Sequence, residues 1–383
     1  MYKNEYKNII RKVLYELISI VNRFVPKKDQ ICIYGGEVLN NNSEAMLRYL
    51  SNKEYKIICI ADKHLSYCDT TNIEFIDSNN WNAIKSLMTS RVVLDSFLHT
   101  IKMKPTKKQL FINFWHGSPL KSLHKASNVL ANSNYFTYIF YAAEIFKDPI
   151  KDLLQAPDEK MYLNGNLHSD YFFEKFKIPQ TYRKSKYNII WMPTYREGFG
   201  TKFTSKNIPI INSENISEID EYLRKRDTTL FIKPHILQHN ELRDLIIGID
   251  CANIRIINEQ DLINLNIPVY GFVSCMDALI TDYSSVCFDF LLTGKQIGFA
   301  IDDYCEYSNS VGYAFENPMD YMPGKVMMNV NDLFEFIDDV INDNDKYKAE
   351  RENVKVLSNY YVDGKNRERT YAIIQSYMRN CKV

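Results

Sequence analysis

A chain of 383 residues is too long for one ordinary hydrophobic core, so two domains are expected. Hydrophobic residues at 45% and charged residues at 25% give a folded, soluble composition and exclude a disordered chain. Basic and acidic residues balance at 47 each, which excludes a protein held to nucleic acid mainly through phosphate contacts.

The first 28 residues carry Ile10, Val13, Leu14, Leu17, Val21 and Phe24 at helical spacing, widened by Ile9, Ile18 and Ile20. Seven basic groups (Lys3, Lys7, Arg11, Lys12, Arg23, Lys27, Lys28) stand there against Glu5 and Glu16. A basic amphipathic helix of this kind suits the surface of an anionic membrane. A helix docked on the protein's own core gives the same pattern, so both uses stay open. No apolar run approaches the length of a membrane span, and no cleavable signal peptide is expected. A single module is expected rather than a chain with a long N-terminal extension.

Strands and helices then alternate. "QICIYGG" reads as a strand, "NSEAMLRYL" as a helix, and "YKIICIAD" and "IEFID" as strands. A helix from Trp81 to Met88 leads to "RVVLDS", "QLFINFWHG", "YFTYIFYAA" and "KMYLNG". A charge-rich stretch with Pro179 marks the break, and the pattern restarts with "YNIIWMPTYR", the helix "ISEIDEYLRKR", "TTLFIKPH", "IRIINE", "MDALITDYSS" and "KQIGFAID". Helices near Leu333, Tyr347 and Tyr371 close the chain. Two series of buried strands alternating with helices imply two parallel sheets. Eight cysteines, none in C-x-x-C spacing and several inside apolar strands, suggest a reducing compartment with no disulfide framework and no zinc site.

Open parallel sheets bind ligands at the carboxyl ends of their strands, so the residues just past each strand matter most. "NFWHGSPLK" places His116 at a strand exit, followed by Gly117, which supplies a positive-φ turn or clears space for a substrate. "WMPTYRE" supplies Thr194 and Arg196, a hydroxyl and a guanidinium suited to phosphate oxygens. "FIKPH" supplies Lys233 and His235, a point charge and a donor or proton relay. "ALITDYSSVCFDFLLTG" gives Asp282, then Ser284 and Ser285 opening a helix whose free N–H groups suit phosphate. Each has an ordinary alternative: a capped helix, a polar loop or a structural histidine. The two glycines of "GGEVLNNNSEAM" do not form a dinucleotide fingerprint. No Walker A, H-E-x-x-H, G-x-S-x-G or strand-end D-x-D sequence occurs. No resident cofactor and no metal are expected.

Taken in order, these segments resemble the CDP-glycerol glycerophosphotransferase family, the polymerases and primases of teichoic acid and related capsule synthesis. "FWHGSPLKSL" is similar to W-H-G-T-P-L-K, "WMPTYRE" to A-P-T-W-R, and "IKPH" to the strand-end histidine motif. "ITDYSSVCFDFLLTGKQIGF" and "DGKNRERT" resemble the family's I-T-D-Y-S-S-V-x-F-D-F and D-G-K-x-x-x-R. Where the family has G-x-P-R-x-D, this chain has "GNLHSD", with His168 in the arginine's place.

The resemblance implies an α/β glycosyltransferase-B-like fold, two Rossmann-like domains facing a central cleft behind an N-terminal amphipathic helix. Residues 1–28 would associate with an anionic membrane surface, 29–178 would form the acceptor-side domain, and 179–383 the CDP-donor domain with the closing helices. It implies transfer of glycerol phosphate from CDP-glycerol to a lipid-linked teichoic-acid-like or capsular acceptor at the cytoplasmic face of the bacterial membrane. CDP-ribitol as donor, or a nucleotide sugar, are the alternatives. His116 would be the general base and His235 would stabilise, or protonate, the leaving phosphate. Gly117, Thr194, Arg196, Lys233, Asp282, Ser284 and Ser285 would hold the substrate.

Overall fold

A computed structural model describes residues 13–36, 39–62, 71–97, 102–122, 133–194, 208–234 and 251–380. The first half runs α1 (residues 13–22), β1 (Lys28–Gly36), α2 (Asn41–Leu50), β2 (Lys56–Ala61), β3 (Ile73–Ile76), α3 (Trp81–Thr89), β4 (Ser90–Asp95), β5 (Leu110–Asn113), β6 (Tyr138–Tyr141), α4 (Glu144–Leu154) and β7 (Met161–Leu163). The second runs β8 (Tyr187–Trp191), α5 (Ile216–Lys225), β9 (Thr228–Ile232), β10 (Ile254–Ile256), α6 (Glu259–Leu265), α7 (Val269–Ser274), β11 (Ala278–Thr281), α8 (Val286–Phe290), β12 (Gln296–Ala300), α9 (Tyr304–Ser310) and β13 (Lys325–Met327). Three helices end the chain: α10 (Val330–Ile341), α11 (Lys348–Ser358) and α12 (Asn366–Asn380).

The strands form two sheets, in the orders β3-β2-β1-β4-β5-β6-β7 and β10-β9-β8-β11-β12-β13. Among the described residues every strand pair is parallel. Parallel strands are covered on both faces, which is why "ICI", "IICI", "VVL" and "ALI" read as unbroken apolar runs. Numbered within itself, each sheet begins 3-2-1-4-5-6, the doubly wound order, so each reverses direction once: between β1 and β4, and between β8 and β11.

The chain divides into two compact units. The first holds the described residues among 1–117, 126–170 and 363–383; the second holds those among 118–125 and 171–362. The sequence places all three closing helices with the second half, whereas α12 belongs to the first unit. The reason is a buried cap. Asp170, 1% exposed, accepts the backbone N–H groups of Asn366 (2.9 Å) and Arg367 (2.8 Å) at the start of α12, and the Arg367 Nε (3.1 Å). Asn164 donates to the Asn366 carbonyl and the Thr370 hydroxyl. Gly165, at φ +93°, leaves room for the Asn366 side chain; a Cβ there would lie 2.5 Å from its Oδ1. The "GNLHSD" and "DGKNRERT" segments thus meet as one structural joint within the first unit.

Helix α1 docks by its polar side. Ser19 and Asn22 are buried: the Ser19 Oγ accepts the Lys104 N–H, and the Asn22 Nδ2 donates to the Lys104 carbonyl and the Gln109 Oε1. Lys27 donates to the Asn22 carbonyl, the Asn22 Oδ1 and the Met88 carbonyl, each at 2.7 Å. Ile18 packs on the core beneath α3. Val13, Leu14, Leu17, Ile20, Val21 and Phe24 all remain exposed, Phe24 at 82%. Among the described residues, no helix is long and apolar enough to cross a membrane.

Candidate functional site

In the first unit, β5 pairs with β4 and ends at Asn113, opposite Asp95. The chain leaves the strand through Phe114, Trp115 and His116. Trp115 adopts φ +59°, a left-handed conformation rare for a residue with a Cβ, and Gly117 follows at φ +133°. The glycine's turn is one the sequence reading anticipates; the strained tryptophan is not. The Trp115 indole is buried and lies 4.2 Å from the His116 ring, centroid to centroid, while His116 itself is exposed. A buried aromatic wall beneath an exposed imidazole covers one face of the ring and leaves the other open.

In the second unit, Thr194, Lys233 and Asp282 follow β8, β9 and β11, three strands adjacent in the sheet, so their carboxyl ends bring these residues together. The Asp282 carboxylate is fully buried and accepts the Thr194 N–H with both oxygens, at 3.0 and 2.8 Å. That bond spans the β8/β11 switch point, where doubly wound sheets open a crevice for ligands. A buried carboxylate occupied in this way supports the loop after β8; a phosphate ligand would need a cation or a free donor there. The Lys233 ammonium lies 2.8 Å from the Glu259 carboxylate at the start of α6. Arg196 and His235, two residues beyond Thr194 and Lys233, lie outside the described residues.

The "DYSS" turn is anchored on both sides. Next to Asp282, Tyr283 is fully buried, donates to the Asp303 Oδ1 at 2.9 Å and stacks on Tyr307 with ring centroids 3.9 Å apart. Ser284 and Ser285 follow it half-buried. Helix α8 is shorter than the sequence implies: one turn, Val286–Phe290, passing into a 3₁₀ turn, Leu291–Thr293, that stops at Gly294 with φ +70°. One turn sums few peptide dipoles, so the macrodipole contributes less than a long helix would. What remains for an anion is the local set of N–H and hydroxyl donors.

The segment after Gly117 belongs to the second unit. The Ser122 N–H donates to the Gly312 carbonyl at 3.1 Å, and the Ala314 N–H donates to the Leu120 carbonyl at 2.9 Å, about a bridge between Lys121 and Tyr313. Tyr313 in turn packs against Tyr283 and Tyr304. The "SPLKS" segment and the "DYSS" turn therefore rest on one tyrosine cluster.

His168, the departure from the family pattern, is 1% exposed in the 3₁₀ turn Leu167–Phe173. Its N–H and that of Leu167 converge on the Asn42 Oδ1, at 3.3 and 2.8 Å. Asn42, Asn113, Asp170 and Asp303 were not candidates from the sequence. Each acts on a partner that is remote in the chain or on backbone, and an Asn or Asp outside a motif carries no local signal of that.

A model of the family described as CDP-Glycerol:Poly(glycerophosphate) glycerophosphotransferase matches residues 17–376, and the chain belongs to that family. It is 24% identical over 324 residues to a teichoic acid ribitol-phosphate primase of Bacillus spizizenii, covering 76% of each chain. It is 23% identical over 368 residues to a teichoic acid poly(glycerol phosphate) polymerase of the same organism, covering 85% of this chain and 88% of that one. In fold it matches the solved structure of the wall teichoic acid polymerase TagF, with a TM-score of 0.75 at 16% identity over 99% of this chain and 98% of that one.

Proposed function

We propose that this transferase moves glycerol phosphate from CDP-glycerol to a hydroxyl of a lipid-linked teichoic-acid-like or capsular acceptor and releases CMP. The observation that carries the reading is the β8/β11 switch point. There, Thr194, Lys233, Asp282 and the two serines collect at the strand ends, in a chain whose other unit sets an exposed histidine at the exit of β5. In this reading His116 takes the proton of the acceptor hydroxyl as that oxygen attacks the phosphorus bearing glycerol. The bond from that phosphorus to the bridging oxygen breaks, and CMP carries the electron pair away. Ser284, Ser285, the Thr194 hydroxyl, Lys233 and Arg196 hold the pyrophosphate, His235 stabilises or protonates the leaving phosphate, and Gly117 gives clearance. Asp282 acts through the loop it holds. Positioning and charge stabilisation supply the catalysis. The glycosyltransferase-B-like architecture, with an acceptor-side first unit and a CDP-donor second unit, is part of this reading.

CDP-ribitol is the second donor to consider, since the relatives named above include enzymes of both polyols. Incubating the purified protein with CDP-glycerol and with CDP-ribitol, each with a lipid-linked acceptor, and weighing the product by mass spectrometry separates them. The expected product is the acceptor plus one or more glycerol phosphates, with matching CMP. Transfer of a bare sugar, or no transfer from either donor, would refute the reading.

The proposed location is peripheral, on the cytoplasmic face of the bacterial membrane. The exposed side chains of Val13, Leu14, Leu17, Ile20, Val21 and Phe24, with the basic excess of residues 1–28, support it. Each basic group near an anionic surface contributes on the order of 1 kcal/mol, a contribution that salt screens. The protein should co-sediment with anionic vesicles, less at high salt, and Leu17→Ser with Phe24→Ser should abolish this without unfolding the chain. Equal sedimentation of both proteins would refute it.

A further inference from the structure

Trp115 is held in its left-handed conformation from both sides. Its N–H donates to the Asn113 Oδ1 at 2.8 Å, and its carbonyl accepts the Asn42 Nδ2 at 3.1 Å. The Asn42 Nδ2 also lies 3.4 Å from the Phe114 carbonyl, and the Asn113 Nδ2 donates to the Phe97 carbonyl at 3.3 Å. Both asparagines are fully buried. The Asn42 Oδ1 meanwhile accepts from Leu167 and His168, so one amide joins the exit of β5 to the turn that carries His168. Asn42 is itself fixed: it lies in the first turn of α2, and its N–H donates to the Oδ1 of Asn40, the cap. A left-handed backbone on a residue with a Cβ persists only where its surroundings impose it. Here two buried amides impose it, one residue before His116.

We propose that Asn42, with Asn113 opposing it, is a positioning residue for His116. The two amides fix the backbone of Trp115, and that backbone sets the direction in which the imidazole of the next residue leaves the strand. This rests on reading His116 as the base. The chemistry argues for an amide at position 42: only a side chain with both a donor and an acceptor can bind two carbonyls on one side and two N–H groups on the other. A carboxylate there keeps the acceptor half and suits the first turn of a helix, but it turns an oxygen toward the carbonyls of Phe114 and Trp115.

Asn42→Asp is therefore the informative variant. It should fold, with kcat lowered roughly tenfold to hundredfold and KM for the nucleotide donor nearly unchanged, because a small misplacement of a catalytic group costs rate before it costs donor binding. The second readout needs no substrate. The His116 Cε1–H resonance, assigned by its loss in His116→Gln, should be single in the native protein and shifted and broadened in Asn42→Asp. Asn113→Ala removes the acceptor of the Trp115 N–H from the other side and should give the same pattern, which keeps the test open if Asn42→Asp does not fold. Native kcat with an unchanged His116 signal in a folded variant would overturn the proposal. So would equal losses in kcat and donor affinity with that signal unchanged. If the native protein transfers from neither CDP-polyol, the proposed function fails, and the resonance still decides whether Asn42 positions His116.

Discussion

The two units solve the same problem at a strand end in different ways. In the first, a single exit from β5 is forced through a left-handed tryptophan, and buried amides hold it there. In the second, Thr194, Lys233 and Asp282 leave three neighbouring strands; a carboxylate-to-amide bond ties the ends of β8 and β11, and an ion pair ties Lys233 to the start of α6. Strain at one point suits a group that must be aimed. A set of ordinary strand ends suits a group of donors that must surround a charged ligand. The difference predicts that damage to the first unit lowers turnover while damage to the second lowers donor affinity.

The strongest test of that division is His116→Ala. Turnover should fall by roughly two to four orders of magnitude, the scale for a positioned acid–base group, with donor affinity little changed. Steady-state kinetics beside calorimetric donor binding measures both, and near-native turnover would remove His116 from the chemistry. Next comes the double replacement of Ser284 and Ser285 by Ala. Each lost hydrogen bond to a charged group costs about 1.5–3 kcal/mol, so CDP-glycerol and CMP should both bind more weakly. Unchanged calorimetric affinity in the folded variant would end the claim that this turn holds phosphate.

The strands and most helices were legible because burial on both faces leaves unbroken runs of Ile, Val and Leu between glycines and polar turns. The strand-end motifs were legible because their chemistry follows the strand directly. Helix α4 escaped notice because Pro149 sits inside "EIFKDPIKDLL" and weakens any helical reading, although the helix forms around it. The place of α12 escaped because its cap, Asp170, lies 196 residues before Asn366, and nothing near either residue announces the other. Asn42 escaped for the same reason: its partners come from β5's exit and from Leu167. The polar docking side of α1 was hidden by its apolar stripe, since Ser19 and Asn22 look like solvent positions until Lys104 and Gln109 supply partners.

A smaller effect is expected at Asp282. Asp282→Ala leaves the buried Thr194 N–H without its acceptor, which costs about 1–3 kcal/mol of stability. Asp282→Asn keeps one acceptor oxygen and should lose less. Chemical denaturation of the two variants orders them. If both match the native protein, the bond across the switch point does not organise the loop after β8, and the contrast between the two units weakens accordingly.

The smallest expected effect concerns how α1 is held. Burial pushes the Lys27 ammonium down to about 8, below the ordinary lysine range. Three acceptors, the Asn22 carbonyl, the Asn22 Oδ1 and the Met88 carbonyl, work in the opposite direction by favouring the charged form. If burial wins, the folded chain gives up this proton at a lower pH than the unfolded chain does. Between pH of about 8 and the ordinary lysine value near 10.4, the unfolded state then binds more protons, so stability rises with pH. Lys27→Met removes the group, and subtracting its melting curve cancels the other lysines and tyrosines that titrate in the same range. The native protein should gain stability relative to Lys27→Met as pH climbs through that window. A flat or falling difference would mean that the three acceptors offset the burial, and that α1 is fastened by a retained positive charge rather than despite one.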